Sequence, residues 1–408
     1  MPLWKRISLI VGFILFTLLI GYLIYRFFFS TREVEPTPTP QPTVDERGSL
    51  PNSLGVTPIQ PTQRVAPTTQ LPPTPIGEVA TTAQKTEVAV EELEISNSKS
   101  PFLASDGKSL VTYDSFDGKF YRIKADGTPE PMASQTFKGA ESVVWSPKTD
   151  KAAIKFFDDS NIIYDFEKQK QITLPKHWRE FDFSPGGDKI AFKSLADNPD
   201  NRWLGIVNID GTDAKLIEPL GRKAAYFNVS WSPSNQVVGT FREGIDGDRQ
   251  MLYLIGKNNE NFKSMVVEGR GLETEWSTRG DLLLYSVYSS KSDFKPEIWI
   301  TEAIGESIGN NRQKIGIQTW AHKCTFADNE TVYCAIPPDL KEGAGILPAM
   351  GDDGADSIYK IDLTTGIKEK VVDFPEKHTI DKIIISSDQS TLYFQEKYSN
   401  KLFNVKIN

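Results

Sequence analysis

The sequence predicts an all-β protein built from repeats, and two observations carry that prediction. First, one short unit recurs seven times from about residue 100 to the C-terminus: a large apolar residue, a Ser, a polar turn and an apolar run. The copies are Trp145-Ser146-Pro147, Phe183-Ser184-Pro185, Trp231-Ser232-Pro233 and Trp276-Ser277, with looser copies at Ala104-Ser105, Phe326-Ala327 and Ile385-Ser386. Second, aromatic residues make up 11% of the chain, which suits rings packed on pleated strand faces.

Each copy contains four strand-like runs. The aligned Ser positions are 105, 146, 184, 232, 277, 327 (Ala) and 386, and a second apolar run ends about eight residues after each. A third run follows, such as Phe120–Ile123, and a more polar fourth run closes the unit, such as Gln171–Leu174. Runs of this kind alternate with period two or are apolar throughout, as half-buried and buried strands do. Four antiparallel strands at intervals of 38 to 59 residues are typical of a β-propeller blade, so seven copies predict seven blades.

The last copy ends at Asn408 directly after its third strand, and a separate strand-like run, residues 86–95, precedes the first copy. We therefore expect residues 86–95 to supply the outer strand of the seventh blade, because this closure removes a bare sheet edge. The apolar phase slips between Val90 and Leu93, which predicts a β-bulge at Glu91-Glu92.

The repeat resembles that of a known family. The pattern of residues 183–192 (FSPGGDKIAF) is similar to the TolB-type, WD-like propeller repeat, and the likeness extends over about 320 residues. The resemblance implies the propeller fold but no single activity, because such propellers serve assembly, peptidase gating and ligand binding alike.

The N-terminus predicts a membrane anchor. Residues 1–6 carry Lys5 and Arg6, and residues 7–25 are nineteen uncharged, mainly apolar residues, enough to cross a bilayer as a helix. We expect residues 7–29 to be an uncleaved transmembrane signal anchor, because no small-residue cleavage site follows. The preceding cations place residues 1–6 in the cytoplasm and the propeller outside it, in the periplasm or on the cell surface.

Residues 30–78 predict a linker. The stretch 33–78 holds eleven Pro residues mixed with Thr and Gln, a composition that cannot bury enough apolar surface to fold and that favours polyproline II. We interpret residues 30–78 as a disordered, Pro/Thr-rich stalk, either a spacer or a plain linker, and residues 79–408 as the propeller.

Composition and missing motifs exclude several functions. The net charge is −8, which disfavours nucleic acid, whose phosphates need Lys and Arg for neutralisation. The sequence has no nucleophile elbow of the Gly-x-Ser-x-Gly type, no phosphate loop and no zinc motif. It therefore predicts neither an enzyme nor a cofactor nor a metal site.

The candidate binding residues are the early residues of each first strand. First strands of propeller blades line the axial channel, so these residues should form its mouth. They are Glu141, Arg179, Glu180, Asn228, Glu273, His322, Lys323, Asp381 and the neighbouring Lys382. Two interpretations stay open: a charged mouth that binds a partner, or polar lining of a water-filled channel.

Three other features leave alternatives open. Cys324 and Cys334 flank a predicted hairpin and should lie opposite each other, either as a disulfide or as two buried thiols. His177, His322 and His378 each precede a first strand on different blades, which favours solvated loop residues over a joint metal site. The insertion 337–356 is either a partner contact or a loose loop.

These features favour a membrane-anchored, extracytoplasmic, non-catalytic propeller that binds an envelope protein or polymer. Two alternatives remain: an enzyme acting on a glycan at the channel mouth, or a structural or sensory subunit of a membrane complex.

Overall fold

The structure, a computed structural model, describes residues 17–20, 89–260, 262–352, 354–372, 374 and 376–407. The chain divides into two compact units, residues 1–64 and 65–408. In the first unit residues 17–20 are helical. No helix among the described residues combines the length and hydrophobicity needed to span a bilayer. The predicted anchor, apart from residues 17–20, and the predicted stalk lie outside the described residues.

The second unit is a seven-bladed β-propeller, as the repeats predict, and each blade is a four-stranded antiparallel sheet. Its strands, in chain order, are β1 Val90–Glu92, β2 Ser98–Leu103, β3 Leu110–Asp114, β4 Lys119–Ile123, β5 Pro129–Pro131, β6 Ala140–Trp145, β7 Lys151–Phe156, β8 Asn161–Asp165, β9 Lys170–Leu174, β10 Trp178–Phe183, β11 Lys189–Ser194, β12 Trp203–Asn208, β13 Lys215–Pro219, β14 Phe227–Val229, β15 Val237–Gly244, β16 Gln250–Gly256, β17 Met265–Val267, β18 Arg270–Trp276, β19 Leu282–Tyr288, β20 Glu297–Glu302, β21 Gln313–Lys314, β22 Cys324–Phe326, β23 Thr331–Ile336, β24 Ser357–Asp362, β25 Lys368–Val372, β26 Ile380–Ile385, β27 Thr391–Glu396 and β28 Leu402–Lys406.

Blades one to six take four consecutive strands each, beginning with β2, and blade seven joins both ends of the described unit. Its order is β1-β28-β27-β26, so the strand nearest the N-terminus pairs with the last strand of the chain. β1 is shorter than the expected run 86–95, and it pairs Val90 with Val405 through Glu92 with Phe403 without a register shift. The predicted bulge at Glu91-Glu92 is therefore wrong: β1 ends at Glu92, and the chain then turns Leu93 and Ile95 into the core.

The recurrent Ser closes the hairpin between the first two strands of a blade. In blade three the Ser184 hydroxyl accepts hydrogen bonds from the Asp188 and Lys189 amides at 3.2 and 3.0 Å and donates to the Asp188 carboxylate. In blade one the equivalent hairpin bond runs from the Ala104 amide to Ser109, so Ala104, not Ser105, occupies the repeat position. There the Asp106 carboxylate accepts the Ser109 amide instead, because a short side chain two residues later reaches the same turn.

Seven hydrophobic clusters hold the blades together, one at each interface between neighbouring blades. The cluster between blades one and two is the most aromatic: Phe120 lies 4.9 to 5.4 Å, centroid to centroid, from Phe137, Trp145 and Phe166. Because no cluster lies within a single sheet, each blade depends on both neighbours, and burial of such side chains contributes about 1.5–3 kcal/mol each.

The antiparallel order gives the propeller two distinct faces. The first strands of successive blades contact one another around the ring, β2 with β6, β6 with β10, and β22 with β26. They therefore line the axial channel. All first strands begin on one face, which also carries the crossovers between blades and the loops joining second to third strands. We call this the crossover face; the opposite face carries the hairpins between first and second and between third and fourth strands.

Cys324 and Cys334 are directly opposed on β22 and β23 and form a disulfide, with their Cα atoms 4.1 Å apart. Both side chains are buried in the cluster between blades five and six. The sequence left open a disulfide or two buried thiols, and the structure has the disulfide.

Candidate channel site

The predicted mouth residues lie at the start of the first strands, on the crossover face, but most of them already have a partner. Between blades two and three, Lys155 pairs with Glu141 and lies 3.8 Å from Asp159. Asp159 in turn accepts from the Arg179 guanidinium at 2.8 Å. Glu141 and Arg179 thus belong to one chain of ion pairs that joins two blades.

Glu180 and Lys193 form a second link. Glu180 has a positive φ of 50°, at the register shift between Arg179 and Asp182, and its carboxylate accepts from the buried Lys193 ammonium at 2.6 Å. The same ammonium donates to the Phe227 carbonyl of blade four at 2.8 Å. The mouth carboxylate therefore neutralises a buried cation that ties blade three to blade four.

Glu273 and His322 face each other across blades five and six. The Glu273 carboxylate and the His322 Nδ1 are 2.7 Å apart, and both side chains are partly exposed. His378, by contrast, is packed among Phe374, Phe394 and Phe403. The histidines therefore do not converge, and among the described residues no group of three His, Cys, Asp or Glu side chains could hold a metal ion.

Lys323 does not contribute its charge to the mouth. Its ammonium is buried and donates to the Asp356 carboxylate at 2.9 Å, and it lies 5.4 Å from the centre of the Trp320 ring. The same Asp356 oxygen accepts the Ile380 amide of blade seven at 2.7 Å. Lys323 lies where a first strand begins, as expected, but its side chain packs within the blade. Asn228 is exposed on β14, and Asp381 is partly exposed on β26.

Deeper in the channel lie two carboxyl groups, Asp182 and Glu275, that the choice of mouth residues did not include, and they share the channel with the mouth residue Lys382. Asp182 on blade three and Glu275 on blade five occupy the position two residues before the repeat Ser, and Lys382 on blade seven lies four residues before it. Lys382 donates to the Pro101 carbonyl of blade one at 3.0 Å. Asp182 accepts the Trp231 and Phe183 amides at 2.7 and 2.9 Å.

The channel perturbs all three groups. Desolvation by the surrounding protein raises the pKa of Glu275 to about 7; Lys382 opposes this rise, and Asp182 adds to it. Desolvation also raises the pKa of Asp182 to about 6, despite its two amide donors. The pKa of Lys382 is lowered, first by desolvation, although Glu275 and Asp381 favour its charged form. The Glu275 side chain is nevertheless exposed to water, which screens these electrostatic effects.

One signal in the sequence could have identified these residues. A first strand alternates between the blade core and the channel, so Asp182 between Phe181 and Phe183 must point away from the core. Glu275 precedes Trp276 in the same way. What alternation could not supply is how closely the surrounding blades enclose these groups, because desolvation is the main cause of the pKa shifts.

A second concave feature lies beside blade four. A cavity of about 550 Å³ is lined by a row of rings, Phe227, Phe241 and Tyr253, and by Glu218 and Lys223. The rings stack across three strands, with centroids 4.5 and 5.5 Å apart, and the Lys223 ammonium lies 5.6 Å from the Phe241 ring centre. Burial raises the pKa of Glu218. A cation of the chain itself thus already covers the aromatic face.

The comparisons with known proteins agree on the fold. The β-propeller domain of Cps50 (Swd1) from Myceliophteria thermophila aligns with a TM-score of 0.53 at 11% identity, covering 79% of this chain and all (100%) of that chain. An oligogalacturonate lyase in complex with manganese aligns with a TM-score of 0.52 at 13% identity, covering 79% and 91%. A streptogramin B lyase aligns with a TM-score of 0.51 at 14% identity, covering 79% and 98%.

No protein-family model matches the chain, and no curated protein is significantly similar to it in sequence. At these identities the structural matches establish the fold alone. The chain is a seven-bladed β-propeller with four-stranded blades, similar in architecture to two lyases and to the Cps50 (Swd1) propeller domain.

Proposed function

We propose that this chain is a non-catalytic binding or scaffold protein whose axial channel accepts a positively charged group of its partner. The observation that carries this proposal is the set Asp182, Glu275 and Lys382. Two carboxyl groups and one ammonium share the channel, and desolvation raises the pKa of both carboxyl groups. An inserted cation would favour the ionised carboxylates and relieve their mutual repulsion, so the channel favours Lys or Arg side chains over anions.

The paired mouth residues support a scaffold rather than a catalytic site. Glu141 is engaged by Lys155, and Glu273 faces His322, so neither carboxylate is free for acid–base work across a glycosidic bond. They instead fix the blades around the channel, which preorganises the opening for a partner.

Residues 7–29 would hold this propeller at a membrane, with residues 1–6 in the cytoplasm and the blades outside. The lack of charge over residues 7–25 and the cations before it support this part of the proposal. The Cys324–Cys334 disulfide fits an oxidising compartment.

Protease added to intact spheroplasts should digest the propeller from outside. A propeller that is protected until the membrane is opened would contradict this orientation. The TolB-like repeat pattern is compatible with an envelope role but does not specify the partner.

The experiment that tests the channel compares wild type with Asp182→Asn/Glu275→Gln in binding a Lys-rich probe peptide and its Glu-rich counterpart. We expect the wild type to bind the Lys peptide and the double variant to lose about tenfold in affinity, because both carboxylates are removed. A matched control, Glu306→Gln on an exposed turn, should bind as wild type does. Equal binding by all three proteins would remove the channel as a cation site.

A second candidate function rests on the carboxyl group of Glu275. A pKa of about 7 also suits a general acid or base, and two of the structural matches are lyases. In that case the channel would bind a uronic acid polymer. That ligand is anionic, whereas the first proposal requires a cationic group. Incubation with polygalacturonate, followed by the absorbance of unsaturated products, separates the two: turnover that Glu275→Gln abolishes would favour the lyase.

A further inference from the structure

The exposed apolar side chains of the propeller are concentrated on one face. Outside residues 18–20, nine large apolar side chains of the described residues are exposed, and seven of them lie on the crossover face. These seven, which we call the apolar rim, are Phe116, Phe157, Tyr226, Ile245, Ile346, Leu347 and Tyr398, and their exposed fractions run from 45% to 82%. Of the other two, Ile367 lies on the opposite face and Leu216 on an outer strand.

The apolar rim encircles the channel mouth. Six of its residues come from the loops between second and third strands of blades one, two, four, six and seven, and Tyr226 comes from the crossover into blade four. Single exposed apolar residues are normal on a protein surface, so it is their concentration on one of the two faces that indicates an interaction site. The opposite face carries equivalent hairpins with a single such residue among those described, so loop position alone does not explain the difference.

The part of the rim on blade six belongs to a folded loop. The insertion 337–356 has its own small core, in which Leu340 and Ala344 pack on Trp320. Its backbone is tied to blade five, where Gly343 donates to Asp293 and Gly345 to Phe294 at 2.9 and 2.8 Å.

It is also tied to blade seven, because the Asp352 carboxylate accepts from the Lys397 ammonium and the Tyr398 hydroxyl, each at 2.8 Å. Residues Ile346 and Leu347 are thus held outward by a folded loop, and their exposure is built in rather than the result of a loose segment. The expectation of a loose loop is wrong for the described part of the insertion.

Carboxylates next to the rim decide which partner fits. Asp117 follows Phe116 and Asp158 follows Phe157, whereas Asp246, which follows Ile245, is already paired with Arg249 at 2.7 Å. An anionic lipid surface would repel these groups at the depth where the apolar side chains insert. A second copy of this chain would bring together two bodies of net charge −8. A protein that presents apolar side chains among Lys and Arg satisfies both the rim and its carboxylates.

We propose that the apolar rim of the crossover face docks a basic protein partner, whose apolar side chains pack on Phe116, Phe157 and Tyr398 around the channel mouth. This inference rests on the proposed function, since it identifies the class of partner whose cation enters the channel. Aromatic side chains are the residues that protein interfaces favour as anchors, and a preorganised rim reduces the entropy lost on docking.

The test places the photocrosslinker benzoylphenylalanine at Phe157 or Tyr398 of the full-length chain in the cells that produce it. Matched probes at Ile367 and Leu216 sample the opposite face and the outer edge. We expect one protein to crosslink from both rim positions and from neither control. The adduct is identified by mass spectrometry, and the partner is purified for affinity measurements.

Purified partner should bind Phe116→Ser/Phe157→Ser about tenfold or more weakly than wild type, and Ile367→Ser/Leu216→Ser as tightly as wild type. Lipid adducts, adducts with a second copy, an acidic partner, or equal adducts from the control positions would overturn the proposal, and so would the absence of any adduct. Repeating the affinity measurement with Glu275→Gln separates the two claims. An unchanged affinity would overturn the channel cation site while leaving the rim in place.

Discussion

At the scale of single residues, desolvation of the channel carboxyl groups reduces the stability of the folded protein at neutral pH. The pKa of Glu275 rises to about 7 through desolvation, so in the folded protein this side chain loses its proton near neutral pH. In the unfolded chain it would lose it at an ordinary, lower pH. The folded state therefore binds the proton more tightly between these two values, and stability falls as the pH rises through that window.

Replacing Glu275 by Gln should stabilise the protein at pH 8 and have little effect at pH 5. At pH 8 the variant no longer has to hold a desolvated carboxylate; we expect a gain of about 1 kcal/mol, after discounting for the water in the channel. Denaturant unfolding at the two pH values measures the difference, with Glu306→Gln as the matched control. A loss of stability at pH 8 would show that the carboxylate is already fully compensated by Lys382.

Removing one member of the buried pair Lys323 and Asp356 should instead destabilise the protein. Asp356→Ala leaves the Lys323 ammonium buried without its partner and also removes the acceptor of the Ile380 amide. We expect a loss of about 3–5 kcal/mol in the free energy of unfolding. The double variant Lys323→Met/Asp356→Leu should lose less than Asp356→Ala, because no charge remains buried. Additive losses from the two single substitutions would contradict this account.

Lys323 also shows which single-residue features can be predicted from the sequence and which cannot. Alternation along a first strand correctly indicates which residues start each strand, so Glu141, Arg179 and Glu273 could be placed in advance. It could not show that Asp356, thirty-three residues further on, would fold back to neutralise Lys323. The position of Asp356 depends on how the insertion 337–356 folds back on blade six, and no spacing in the sequence encodes that contact.

At the scale of elements, the hairpin between first and second strands is the repeated device. Ser184, Ser232, Ser277 and Ser386 all accept backbone amides of the following turn through their side-chain oxygen. Where the repeat has Ala, as at Ala104 and Ala327, Asp106 and Asp328 perform this task. The sequence predicted the repeat but placed the first copy one residue too late, because Ser105, next to Ala104, has the Ser side chain that marks most other copies.

The closing strand is the element most open to a direct test. The Leu93 amide donates to the Leu402 carbonyl at 2.8 Å, so by antiparallel alternation the Glu91 amide donates to Asn404. Glu91→Pro removes that donor, and we expect the free energy of unfolding to fall by about 2 kcal/mol. Glu91→Ala is the matched control and should stay close to wild type. If Pro and Ala behave alike in thermal and denaturant unfolding, β1 does not close the ring in solution.

At the scale of the whole molecule, the number of repeats predicts the architecture. The candidate binding features, by contrast, depend on which residues the ring brings together from different blades. No blade contains the channel site: Asp182, Glu275 and Lys382 come from blades three, five and seven. Likewise no loop contains the apolar rim, which takes residues from five blades and one crossover. The apolar rim lies on the crossover face, whereas Asp182 and Glu275 lie near the far end of the first strands. We infer that one partner docks on the rim and reaches these carboxyl groups through the channel.

Hydrogen exchange of the full chain tests this central claim most directly, when it is measured with and without the purified partner that crosslinking identifies. The account predicts slower exchange in the crossover-face loops that carry Phe116, Phe157 and Tyr398 and at the channel residues of β10 and β18, with the hairpins of the opposite face unchanged. Protection confined to the opposite face, or to the outer strands beside Leu216, would contradict it.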